Sequence, residues 1–583
     1  MLQIKLLELS NKFLFFLFLT LNLFTPLFAE QSVDIWKKSE KEEKQVLGEK
    51  DKNSKSKIDI SKTKIQNEIQ IFDTQADQGL NEIKLIGLYE PEKNDLNLEM
   101  WSNTDGDVIK DTLKRIEKID LSKFSEEILI NTLLTYSYDP PKKISKDEFL
   151  DLKINWLIKN NKVELIEKFL NNNLEFNGKS KLIKYLVDFY ISSANISEGC
   201  KKANFINKEI KDNYLEKFRI YCLILNDKKE EAQVNLDILR EEKRSDKFFE
   251  DKILFLLGMK DSPNKKILDN SLLNFYLSSV TIENFKYIPQ KKTDKNIWRY
   301  LNSSNIIKVN YIEDIETMDK YEFAANQGTF DADKIFEIYK TVQFNINQLI
   351  NADTVYNGLG GYESRALIYQ KILLSDNTET KLKFLFLLKD LFEKSNLSNI
   401  YRDHLSDMLK EIDQSEIPEN FSKTVEINII SDEVFELGKI KYDNNVLHRS
   451  KAIRIFTDEN INEQKIEKDF LSVYKKIKRN KKYFFSIKDV ILLETLYFDG
   501  IDIPKELDLK EFSKDLTVPS NISSLVENNE IGLLMLKLVE IIGSDDIRNL
   551  DPETLYFIVN VLNKASIKKV RNQILNLTLP LRV

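Results

Sequence analysis

Phe218-Arg219-Ile220-Tyr221-Cys222-Leu223-Ile224-Leu225-Asn226-Asp227, followed by Ala232 to Leu239, decides the fold. An apolar run at helical spacing ends in Asn-Asp, a pair that tolerates left-handed backbone and favours turns over helix interiors. A second run then alternates small and large apolar residues. The unit reads as helix, short polar turn, helix. Working outward, the same text recurs. Asn160-Asn161 separates Leu152, Trp156 and Leu157 from Val163, Ile166, Phe169 and Leu170. Leu182, Ile183, Leu186, Phe189 and Tyr190 form another helical stripe. Further helices are expected at Asn213–Asp227, Lys229–Lys243, Phe248–Leu257, Glu313–Asn326, Ala332–Phe344, Arg365–Leu374, Thr380–Lys394 and Ile400–Ile412. Near the C-terminus, Asp551-Pro552-Glu553-Thr554 supplies an N-cap, a proline in the first helical position and an acid in the first turn. Gly543 is placed to cap the helix before it, and a last helix from Ser566 should close before Pro580.

Composition agrees. Glycine numbers 15 and proline 11 in 583 residues, far below the usual ~7% and ~5%. Tight β-hairpin turns need those residues, so amphipathic helices are expected rather than an antiparallel β protein. The expected fold is all-α, an α-solenoid-like array of antiparallel helical hairpins. Net charge is -7, too mild to mark the whole chain as a partner of nucleic acid.

The N-terminus sets the expected destination. Lys5 and Lys12 precede an apolar run from Phe13 to Leu19, extended by Leu21, Leu23 and Phe24, with Ala29 before Glu30. This pattern reads as a secretory signal peptide over 1–29, and the expected location is periplasmic or secreted. A retained membrane anchor is the alternative, and membrane contact is expected only in that case. Residues 30–80 are rich in Lys and Glu and read as a disordered charged tether. A helical array is expected over 81–283, an irregular connector over 284–310 and a second array over 311–583.

The helix-turn-helix text at Phe218–Asp227 and Ala232–Leu239 resembles degenerate tetratricopeptide-like proteins and, more loosely, exported α-helical-repeat proteins of Gram-negative bacteria. No fixed 34-residue period is present. The resemblance implies a scaffold and carries no activity.

Few residues offer chemistry. Cys200 and Cys222 are the only cysteines. Helices at Ser197–Ile210 and Asn213–Asn226, joined near Lys211-Asp212, would set the two at similar height, within reach of a disulfide in an oxidising compartment. Two buried thiols are the alternative. The histidines, His404 and His448, are far apart in sequence, which makes metal clusters and histidine-based triads hard to assemble. Lys475, Lys476, Lys478, Arg479, Lys481 and Lys482 form the strongest basic run. It is a candidate contact for an anionic surface, or else a solvated helix end. The adjoining Tyr483-Phe484-Phe485 reads as core.

Tyr356 to Tyr362 carries three glycines but lacks the Lys-Ser/Thr of a phosphate loop, and reads as an inter-helix loop. Glu363-Ser364 resembles the start of lytic transglycosylase active sites, but the motif expected downstream is replaced by Ala366-Leu367-Ile368-Tyr369-Gln370. Asn103, Asp105 and Asp107 around Gly106 read as a capped turn, since the later Glu of a calcium loop is missing.

No catalytic residue, metal or cofactor is assigned. The expectation is a non-catalytic scaffold binding protein partners in the cell envelope. The alternatives are an enzyme of cell-wall peptidoglycan metabolism that uses carboxylates assembled by the fold, and a secreted structural or virulence-type protein.

Overall fold

The computed structural model describes residues 85–206, 210–307, 315–429, 441–457 and 462–580. The signal at 1–29 and the tether at 30–80 lie outside the described residues. Nearly all of the described residues belong to one unit, formed by Lys84–Leu516 and Ile522–Val583.

The fold is all-α. Among the described residues β structure is limited to isolated bridges, Tyr89 with Thr135 and Asp105 with Lys142. Helices follow the sequence closely: Asn213–Leu225, Lys229–Glu241, Lys247–Leu256, Ile315–Asn326, Ala332–Thr341, Gly361–Leu373, Thr378–Lys394 and Ser398–Lys410. Consecutive helices pack as hairpins, as at Asn213–Leu225 with Lys229–Glu241 and Gly361–Leu373 with Thr378–Lys394.

One turn recurs, and it explains how a glycine-poor chain reverses direction so often. A single left-handed residue follows the helix at Asn161, Ala194, Asp227, Lys243, Asn305, Asn396, Asn529 and Ser566. At Asp227 its own N–H bonds to the Ile224 carbonyl at 3.0 Å, and the next N–H, of Lys228, bonds back to Leu223 at 2.8 Å. Asn161, with Ile158 and Leu157, repeats the pattern. These paired bonds satisfy carbonyls left free at the helix end, the geometry that usually recruits glycine.

Several boundaries differ from expectation. Asp551 caps Pro552–Lys564 through Thr554 N at 2.8 Å, as the sequence indicates. Gly543, however, sits at φ 55°, ψ -123°, outside the left-handed helical region. The helix carrying Cys200 runs only from Ile196 to Lys202, then tightens into a 3-10 turn at Ala203–Phe205. Ala203 and the C-cap residue Ile206 are both buried. The stretch read as an irregular connector contains the helix Lys295–Ser303, capped by Asp294 and burying Ile297, Trp298, Tyr300 and Leu301.

Packing extends beyond sequence neighbours. Gly106–Ile116 and Lys123–Leu134 pack on Ile531–Ile542, about 400 positions later. The contact is built around Trp101, fully buried and edge-on to Phe149 at 5.5 Å. Gly532 lies flat on the indole, so close that a Cβ there would stand 2.5 Å from the ring. Its N–H donates to the Met100 carbonyl at 2.8 Å. Arg115 pairs with Glu540 at 2.5 Å, and Ser122 N–H donates to the Gly543 carbonyl at 3.0 Å.

The core between Trp298 and Val425 is largely aromatic and aliphatic but encloses an ion pair. Arg365 and Glu322 are both almost fully buried. Arg365 donates from Nη2 to Glu322 Oε2 at 2.5 Å and from Nε to Oε1 at 3.1 Å. Nε is shared with the Tyr339 hydroxyl at 3.1 Å, Nη1 donates to Ser395 Oγ at 2.9 Å, and Tyr339 donates to Glu322. Burial, and then the Glu322 charge, hold Tyr339 protonated well above the ordinary phenol range.

Candidate functional site

The basic run occupies the end of the helix Glu463–Lys478 and the turn after it. Lys475, Lys476 and Lys478 lie in the last helical turn and Arg479 is the C-cap, where cations complement the helix dipole. All six cations are exposed. Lys478 reaches Glu506 at 3.1 Å.

The aromatic residues beside them are not all core. Phe484 is 86% exposed, while Tyr483 and Phe485 are half-buried. Between the turn and the next helix, Ile487–Phe498, residues 483–485 belong to no helix and alternate between half-buried and exposed. Tyr483 and Phe485 turn inward, and Phe485 packs on Phe512 at 4.9 Å. Phe484 is thereby turned outward.

This turn is pinned by a cluster that sequence separation concealed. Asp489, 1% exposed, accepts from His448 N at 2.9 Å and lies 2.8 Å from His448 Nδ1. Tyr483 donates to its other oxygen at 3.0 Å and accepts from Leu447 N at 2.8 Å. Ser486 caps Ile487–Phe498 and closes a capping box with Asp489. Burial alone would push the Asp489 carboxyl up, but the bonds from His448 and Ser486 hold it below its ordinary range.

Serine, histidine and aspartate thus meet, but not as a catalytic triad. Ser486 Oγ lies 3.3 Å from Nδ1, the nitrogen that Asp489 also occupies. A triad needs the hydroxyl on the opposite ring nitrogen. Ser486 also bonds to Asp489 Oδ2 at 3.1 Å, so its oxygen serves a structural cap. The other histidine, His404, is stacked on Phe336 with centroids 3.9 Å apart, and burial lowers its pKa.

The remaining sequence candidates have local roles. Glu363 accepts from Gly360 N at 3.2 Å, closing the N-terminus of Gly361–Leu373, and Ser364 Oγ donates to carbonyls of the preceding loop, including Tyr356 at 2.7 Å. Asp105 is the N-cap of Gly106–Ile116. Cys200 and Cys222, both buried, have sulfurs 2.08 Å apart, at disulfide distance, although the two helices are not the symmetric pair expected. Among the described residues no group of three or more His, Cys, Asp or Glu side chains is placed to hold a metal, and no helix is long and apolar enough to cross a membrane.

Perturbed groups mark further positions. Burial pushes the Lys252 amine down to about 8, and it donates to Asn264 O at 2.6 Å and Thr281 Oγ1 at 2.8 Å, anchoring a loop. Burial raises Asp188 to about 6 against the opposing hydrogen bond from Tyr214, with Asp294 and Asp212 adding to the rise.

As pH rises between 3.8 and about 6, the unfolded carboxyl of Asp188 ionises before the folded one, so its contribution to stability falls. Replacing Asp188 with Asn should therefore matter little near about pH 4. Near neutral pH it should stabilise relative to wild type by about 1–2 kcal/mol, discounted for part exposure. Thermal melts at both pH values measure this, and a gap that does not widen with pH contradicts it.

No family model, curated protein or solved structure matches this chain.

Proposed function

We propose that the chain is an exported, non-catalytic helical scaffold that binds protein partners in the cell envelope. The observation that carries this reading is a set of apolar side chains left open at helical spacing. Ile346 and Ile350, 73% and 62% exposed, stand one turn apart on the helix Ile346–Ile350. Leu373 and Leu374 are also exposed, at the end of the helix from which Lys371 reaches the Ile350 carbonyl at 3.5 Å. Val234 and Ile238 repeat the spacing on Lys229–Glu241. Clustered exposed apolar residues are typical of surfaces that bind other proteins. Export draws support from the charged-then-apolar N-terminal sequence and from the cysteine pair at disulfide distance.

A photo-crosslinking residue at Ile346 or Val234, in the producing cells, should yield discrete protein adducts. The same probe at exposed Lys423 should not. In envelope material quenched with acid, Cys200 and Cys222 should resist alkylation until reduced. Equal adduct patterns at all three sites would sink the partner reading, and free thiols the export reading.

The cell-wall enzyme draws on one observation, the carboxyl of Asp188 raised to about 6, in the range of a general acid. Under that reading Asp188→Asn abolishes peptidoglycan cleavage as well as changing the pH dependence of stability.

A further inference from the structure

We propose that the turn joining Glu463–Lys478 to Ile487–Phe498 is a docking element for an anionic lipid surface. In this arrangement Phe484 enters the headgroup region and the six cations around it face lipid charge. The stretch 475–482 holds six cations and no acid. Among the described residues two nearby carboxylates face it. Glu506 pairs with Lys478. Asp443 is held low by Asn445 N–H, with Arg449 and Lys476 contributing. Among the described residues no further carboxylate is paired with these side chains, and most of the positive charge is left unmatched.

The helix dipole accounts for Lys475, Lys476, Lys478 and Arg479. It does not account for Lys481 and Lys482, beyond the helix, or for a phenylalanine 86% exposed between two inward-turned neighbours. The turn is already ordered by Tyr483 on Asp489 and by the Ser486 cap, so presenting Phe484 costs little further entropy on binding. A basic cluster with an exposed aromatic is the combination an anionic bilayer interface rewards, since charge meets headgroups while the ring meets the acyl boundary. A soluble polyanion would use the charges and leave the ring idle. The chain as a whole is negative, -7, so attraction is confined to within about one Debye length, ~8–10 Å, and should weaken steeply with salt.

The test uses the full chain and vesicles of equimolar phosphatidylglycerol and phosphatidylcholine, against phosphatidylcholine alone. Readouts are differences between variants, so binding by the apolar run from Phe13 cancels. Phe484→Trp should add emission, above that of the four native tryptophans, that shifts to the blue and is quenched by brominated lipid only on anionic vesicles. Neutralising Lys478, Arg479, Lys481 and Lys482 to Gln should weaken the anionic component about 100-fold or more. Phe484→Ala should weaken it roughly tenfold. Circular dichroism should be unchanged, since all five side chains are exposed. Added emission in the Phe484→Trp variant that is indifferent to anionic vesicles overturns the proposal. So does Phe484→Ala binding as wild type while soluble polyphosphate displaces the protein, which would assign the patch to a soluble polyanion.

Discussion

Replacing Glu322 with Gln should destabilise the protein by about 3–5 kcal/mol, because it strands a buried guanidinium. The substitution keeps the shape and removes the charge. Arg365 would then retain Tyr339 and Ser395 as partners, neither of them an anion, inside a core lined by Phe392 and Tyr401. The cost belongs to the unpaired ion and not to any intrinsic merit of the pair. Removing all the polar members together should accordingly recover most of the loss. Glu322→Leu with Arg365→Met and Tyr339→Phe leaves no charge to desolvate, and Ser395 keeps its bond to the Leu391 carbonyl at 3.0 Å. Urea denaturation of the single and triple variants measures both effects. A single variant within about 1 kcal/mol of wild type would show that water reaches Arg365.

Trp101→Ala should cost a similar amount, about 3–5 kcal/mol, through lost burial and the cavity left beside Phe149. Gly532→Ala should cost about 1–3 kcal/mol although alanine is the better helix former, since its Cβ meets a ring with no room to retreat. The two effects should not add. With the indole gone, the methyl enters open space, and Gly532→Ala in the Trp101→Ala background should be neutral or stabilising. A double-mutant cycle on chemical denaturation reads this coupling. Independent, additive costs would mean that the two residues do not share one contact.

What can be read in the chain is what depends on neighbours in sequence. The Asn160-Asn161 and Asn226-Asp227 turns are visible because asparagine and aspartate accept left-handed backbone that most residues avoid. The Asp551-Pro552 cap is visible because its donors lie within the next turn. Hidden are pairings across long separations: Trp101 with Gly532, Glu322 with Arg365, His448 with Asp489. Nothing local distinguishes these residues from others of their kind. Phe484 departs from its sequence reading for a different reason. Three consecutive aromatic residues look like core at any helical phase, and it is the break between the helices ending at Lys478 and starting at Ile487 that separates the middle one from its neighbours. A signal for the Lys295–Ser303 helix is present in Asp294 and the spacing of Ile297, Trp298 and Leu301.

The seam around Trp101 also sets a waiting time. Arg115 and Glu540 are 425 positions apart. At about 5–20 residues per second, a ribosome needs roughly 20–90 s to make the second after the first. Throughout that interval the indole that Gly532 will cover has no C-terminal partner, and the face bearing it is open to any apolar surface nearby. The helices Gly106–Ile116 and Lys123–Leu134 are therefore left uncovered during biogenesis, and a holdase that shields residues near 100–134 would be of most use before Ile531–Ile542 emerges.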